Sequence, residues 1–265
     1  AHLDPSPRMP MVTPAMHWSW SLGRFFGIDT RVHASFALVL LWAFLTTYDQ
    51  GPLAVVLSLA FLLAVFASVV AHELGHALMA RNFGLATRQI VLLPIGGVAQ
   101  IEGAYMPPRE EMLVALAGPV VSFALGGALL SVASLAGDVS AYGFLGGLAW
   151  ANLMIGLFNL LPAFPMDGGR VLRALLAARM GPLRATEIAA AIGKIAAIAL
   201  GTYGLVSGRT MLAVVAVFLF LAATGEAALA ARRFARGPDD PEFWAATSGF
   251  RGFPRRRVFI IRRGP

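Results

Sequence analysis

Six long apolar stretches divide the chain, near residues 33–48, 53–80, 111–136, 142–161, 185–206 and 210–231. Most approach or exceed the roughly 20 apolar residues that a helix needs to cross a bilayer. Some of the breaks between them are short and polar or glycine-bearing, such as "YDQGP", "LAGDVSA" and "VSGR", which end helices rather than extend them. Two connections differ. Residues 84–106, "GLATRQIVLLPIGGVAQIEGAYM", hold β-type runs interrupted by Pro94 and the pair Gly96 and Gly97, and predict a hairpin or membrane-dipping loop. Residues 162–169, "PAFPMDGG", cannot continue a helix, because the prolines remove donors and the glycines loosen the backbone. Irregular backbone at membrane depth is tolerated only where protein buries it or where it lines a wet cavity. The pattern therefore predicts an all-α polytopic membrane protein of about six transmembrane helices with a small membrane-associated β-hairpin or loop. Three parts follow: an N-terminal interfacial segment (1–31), a six-helix membrane domain (32–232) and a basic tail (233–265). The aromatic and basic "WSWSLGRFFG" of the first part reads as an interfacial anchor.

Composition agrees with a membrane solvent. Hydrophobic residues make up 58% of the chain and charged residues 13%, against about 25% charged in a soluble domain, and the mean hydropathy is +0.72. With Cys 0, a disulfide framework and a thiolate metal site are both excluded. The basic residues set the orientation. All but Arg209 and Lys194 lie in the N-terminal segment, the second and fourth connections, or the tail. The positive-inside tendency then puts both termini in the cytoplasm, and the scarcity of Lys beside Arg points to a prokaryotic cell membrane. An even number of spans agrees, since it puts both termini on one side. The tail "RGFPRRRVFIIRRGP" carries much of the net charge of +7, and a juxtamembrane basic cluster predicts anionic lipid as its partner rather than nucleic acid.

One group of polar residues contradicts its surroundings. In "SVVAHELGHALMARN" (68–82), His72, Glu73 and His76 follow the uncharged stretch 52–71. Residues four apart share a helix face, so His72 and His76 present their imidazoles to one point with Glu73 beside them. This is the H-E-x-x-H pattern, a zinc-binding pair next to a general base. His72 lies about 13 Å up the helix from Arg81 at 1.5 Å per residue, inside the bilayer toward the cytoplasm. Ionisable groups at such depth are costly and mark functional sites. Catalytic zinc takes three protein ligands and leaves a position open. With no further His in a span interior, the third ligand is expected to be a carboxylate, and Asp167 at the broken fourth span is the best placed. An Asp there also suits the N-cap of "GGRVLRALLAARM", and one residue can serve both roles.

These residues resemble the site-2 proteases, intramembrane zinc metalloproteases. The resemblance rests on "HELGH" (72–76) and on the N-x-x-P-x-x-P-x-D-G-G pattern of Asn159, Pro162, Pro165, Asp167, Gly168 and Gly169. It extends through "LPIGGVAQI", "LAGPVVSFAL" and "DGGRVLRALLA", covering roughly residues 18 to 230. It implies one zinc ion per chain held by His72, His76 and Asp167, with Glu73 as the catalytic glutamate and Asn159 assisting at the substrate. It further implies hydrolysis of a peptide bond in or near the transmembrane helix of single-pass membrane proteins. The chain shows no PDZ-like insertion between the motifs and no paired CBS module after the last span. Ser122 stands where many relatives carry Asn in G-P-x-x-N, and it keeps a hydrogen-bonding group there.

A peptide bond within a helix must be unwound before water can attack it. The stretch around Gly96 and Gly97 is read either as an edge strand that pairs with an extended substrate, or as a structural hairpin at the cavity mouth. The alternative function for the same ligands is a divalent metal transporter or a metal-binding protein without proteolysis. A transporter is often built from repeated halves with broken helices. This chain has one break and no internal repeat, and zinc binding alone does not require Glu73.

Overall fold

In hydrocarbon every backbone N–H and C=O must find its partner within the protein, so an apolar stretch of sufficient length becomes a helix. The computed structural model describes residues 18–85, 87–93, 96–101 and 106–234. All six predicted stretches are helical. In chain order the helices are α1 (Phe36–Thr47), α2 (Pro52–Asn82), α3 (Pro108–Leu135), α4 (Phe144–Asn159), α5 (Asp167–Met180), α6 (Pro182–Val206) and α7 (Thr210–Phe234). Proline opens α2, α3 and α6, where its missing N–H has no intrahelical partner to lose. By length and composition α2, α3, α6 and α7 can each cross a membrane, whereas α1 and α4 are shorter apolar helices. The first predicted span is shortened because its leading residue belongs to a strand. His33 closes that strand, and its Nδ1 accepts the backbone N–H of Ser35 at 3.2 Å.

The strands form one sheet in the order β1 (Ser19–Phe25), β2 (Ile28–His33), β3 (Thr87–Leu93), β4 (Gly96–Ile101). The predicted hairpin is β3–β4, with Leu93 opposite Gly96 and Leu92 opposite Gly97. The N-terminal hairpin was not predicted as β-structure, although Trp18, Trp20 and Leu22 carry the period of two that marks a strand. All three are exposed, so they give a strand pattern without a buried face. β2 then runs parallel to β3, with Val32 opposite Leu92, and α1 and α2 form the crossover between them. This strand crosses the boundary placed at residue 31. Residues 1–17 and the basic tail from 235 lie outside the described residues.

The sheet rests on one face of α2. Ile28, Val32, Ile90 and Leu92 pack with Leu74 and Ala77 in a single buried cluster. Facing the opposite way, α2 meets α3 so closely that a Cβ at Gly75 would lie 2.9 Å from the Ala117 carbonyl oxygen. That contact turns His72 and His76 toward α3. Farther along the chain, Ala185, Ala189, Gly193, Ala197 and Gly201 recur every four residues on α6. Such a ridge permits the close backbone approach on which helix association in lipid depends. A Cβ at Gly201 would be 3.2 Å from that of Ala216 on α7, while Gly193 lies against the Phe164 carbonyl and braces the broken segment. The outward surfaces are apolar, with Leu38, Trp42, Leu53, Ile195, Val217 and Leu221 all more than half exposed. So much exposed apolar surface belongs in lipid. The chain is integral to the membrane.

Candidate metal centre

Two elements far apart in sequence bring their polar groups to one buried point. From α2, the four-residue spacing sets His72 and His76 edge to face, with ring centroids 4.8 Å apart. From the other side, the chain turns out of α4 and starts α5 at Asp167. This turn is compact because it has no side chains at two positions: a Cβ at Gly169 would come within 2.6 Å of the Ala163 carbonyl carbon, and one at Gly168 within 2.5 Å of that of Leu160. Gly168 and Gly169 thus mark a backbone-on-backbone contact. Asp167 Oδ2 ends 3.1 Å from His72 Nε2 and 3.1 Å from His76 Nε2. The two Nε2 atoms are also 3.1 Å apart. All three residues are buried.

This triangle suits zinc. Two imidazole nitrogens and one carboxylate oxygen form a usual catalytic ligand set, and ligand bonds of about 2.0–2.1 Å arranged tetrahedrally separate the ligand atoms by roughly 3.3 Å. The observed edges fall within a few tenths of an ångström of that value. The other ring nitrogens are already engaged. His76 Nδ1 donates to the Val114 carbonyl at 2.7 Å, which places the proton on Nδ1 and leaves the Nε2 lone pair free. His72 Nδ1 lies 2.9 Å from Ser122 Oγ, and with Nε2 used as a ligand, Nδ1 donates and the hydroxyl accepts. Gly118 provides the space. A Cβ there would lie 2.7 Å from His72 Nε2 and closer still to His76 Nε2, so its absence leaves a cradle beside the ligand atoms.

Val114, Gly118 and Ser122 lie at four-residue intervals on one face of α3, so this helix orients both histidines and keeps the cradle open. The spacing is present in the sequence. That this face meets α2 is not. Ser122, the departure noted in the sequence, thus acts as an orienting group for His72. Outer contacts of this kind are worth about 10–100-fold in metal affinity. Ser122→Ala is accordingly expected to weaken zinc binding by about 10–100-fold, as measured by chelator competition. An unchanged affinity would deny the hydroxyl that role.

Glu73 follows His72 on α2, half-buried and within electrostatic range of both histidines, Asp167 and Arg170. It is not one of the three grouped ligands. Asn159 ends α4, and its Nδ2 donates to the Ile155 carbonyl at 2.9 Å, which leaves the side-chain oxygen for another donor. Among the described residues, no hydrogen bond or ion pair joins Asn159 to the His–Asp cluster. Gly96 and Gly97 open β4, the last strand of the sheet among the described residues. Of the residues expected at the site, the structure thus brings His72, His76, Glu73 and Asp167 together.

Known proteins are similar to this chain. The model of peptidase family M50 matches residues 60–141 and 135–200. A zinc metalloprotease of Methanocaldococcus jannaschii is 41% identical over 213 residues, which are 80% of this chain and 61% of that protein. A putative zinc metalloprotease of Mycobacterium tuberculosis is 37% identical over 227 residues, covering 77% of this chain and 58% of the relative. This chain therefore spans about three-fifths of the length of these relatives. Among solved structures, a site-2 protease from Methanocaldococcus jannaschii matches with a TM-score of 0.62 and 39% identity, covering 79% of this chain and 95% of that one. The residues matched by the family model take in His72, His76 and Asp167, and the fold matches that of a solved site-2 protease, so the chain belongs to peptidase family M50, the site-2 protease family.

Proposed function

We propose that this protein is an intramembrane zinc endopeptidase that hydrolyses a peptide bond within or near the transmembrane helix of single-pass membrane proteins. The observation that carries this reading is the buried triangle of His72, His76 and Asp167 with Glu73 beside it. Zinc, when bound, supplies Lewis acidity that polarises the scissile carbonyl and acidifies the attacking water. The Glu73 carboxylate takes the proton from that water as the C–O bond forms, and delivers it to the amine as the C–N bond breaks. The products are a carboxylate and an amine, with no acyl-enzyme. Ser122 and the Val114 carbonyl keep the imidazoles in the required tautomer throughout.

Substrate handling is assigned to two further groups. β4, opening at Gly96 and Gly97, offers an edge with which an extended substrate pairs. The Asn159 side-chain oxygen contributes a hydrogen bond to the substrate backbone. Zinc binds once per chain, both termini face the cytoplasm, and the site lies toward that side of the bilayer. The basic tail contacts anionic lipid. Regulated release of a cytoplasmic fragment is the biological outcome this arrangement serves.

The test uses the full chain in liposomes with a panel of single-pass helices, and products identified by mass. Chelation is expected to abolish cleavage, and one equivalent of zinc to restore it. Cleavage that survives complete metal removal would overturn the proposal, and zinc appearing inside the vesicles would support transport instead.

A further inference from the structure

A second buried charge lies outside the metal triangle. Glu111, in the first turn of α3, is 6% exposed. Arg173 reaches it from α5: its Nε donates to Glu111 Oε1 at 2.8 Å, and its Nη2 donates to the same oxygen. The guanidinium also stacks above the Phe164 ring, 5.4 Å from the centroid. Phe164 is in turn fixed against α6, where Gly193 accommodates its carbonyl. One side chain therefore ties together α3, α5 and the broken segment.

The position of these contacts along the chain matters. Phe164 precedes Asp167 by three residues and Arg173 follows it by six, so the guanidinium is held on both sides of the metal-binding carboxylate. Glu111 lies one turn before Val114, whose carbonyl holds His76, on the helix that also carries Gly118 and Ser122. The pair thus joins the helix that orients the histidines to the helix that carries the aspartate. A bond serving only stability would do as well with apolar partners, since buried ion pairs are often no better than well-packed hydrophobic replacements. The planar, directional guanidinium fixes geometry instead.

We propose that Arg173 and Glu111 form a positioning clamp that holds Asp167 in register with His72 and His76 and so sets the metal affinity, an inference that rests on the metal-centre reading above. Neither residue touches the reacting atoms. The test titrates Co²⁺ into the purified full chain in detergent and follows both its ligand-field absorption and its Kd, with the metal-free unfolding temperature measured alongside. Arg173→Met is expected to weaken Co²⁺ binding by about 10–100-fold, the usual scale for outer contacts, and to change the absorption band. The metal-free unfolding temperature is expected to stay close to that of the wild type. Arg173→Lys, which keeps the charge but loses the fork, is expected to fall between the two, and Glu111→Gln to weaken binding as well. Should Arg173→Met fail to fold, the Lys and Gln variants decide the matter by the same readouts. Unchanged affinity and band with a lowered unfolding temperature would make the pair merely structural and overturn the clamp. A wild type that binds no Co²⁺ would overturn the metal-centre reading itself and the clamp with it.

Discussion

Glu73→Gln is expected to keep one zinc per chain and to lose cleavage by about 10²–10⁴-fold, the usual contribution of a positioned general base. The retained metal follows from geometry, because the triangle is complete without Glu73. Gln has nearly the same shape but cannot take a proton from water, so binding and proton transfer separate in this one variant. Zinc content and cleavage measured on the same preparation give the answer. A preparation that loses zinc would make Glu73 a ligand, and one that cleaves at the wild-type rate would move the proton transfer elsewhere.

Gly118→Ala is expected to remove the metal altogether, lowering affinity by more than the roughly 100-fold upper range of outer-contact changes. A single methyl group suffices because it would occupy the cradle beside both Nε2 atoms. Neither ring is free to withdraw, since Ser122 and the Val114 carbonyl hold their opposite edges. Retreat of α3 would open its close seat on α2, where the Ala117 carbonyl lies against Gly75. Gly127→Ala is the control, as a Cβ there meets nothing within 4 Å. The expected result is a zinc-free Gly118 variant and a zinc-loaded Gly127 variant, both with helical content intact. Full zinc in Gly118→Ala would mean that α3 does not approach the histidines as described.

The sequence by itself determined the solvent, the six apolar helices and the chemical character of the site. Each of these is a local property. Apolar runs of sufficient length must be helical in lipid, a four-residue spacing must put His72 and His76 on one face, and Pro162 and Pro165 must interrupt a helix before Asp167. Even the missed N-terminal hairpin was visible as alternation in "WSWSL", obscured because both of its faces are exposed. The tertiary structure decided which faces meet. Val114, Gly118 and Ser122 form a legible stripe on α3, yet their work depends on that stripe lying over α2 at the height of the histidines. The reach of Arg173 to both Glu111 and Phe164 likewise spans three elements. Such contacts depend on small residues at helix crossings and on a backbone turn packed within van der Waals distance, and residue spacing along one helix carries no information about its neighbour.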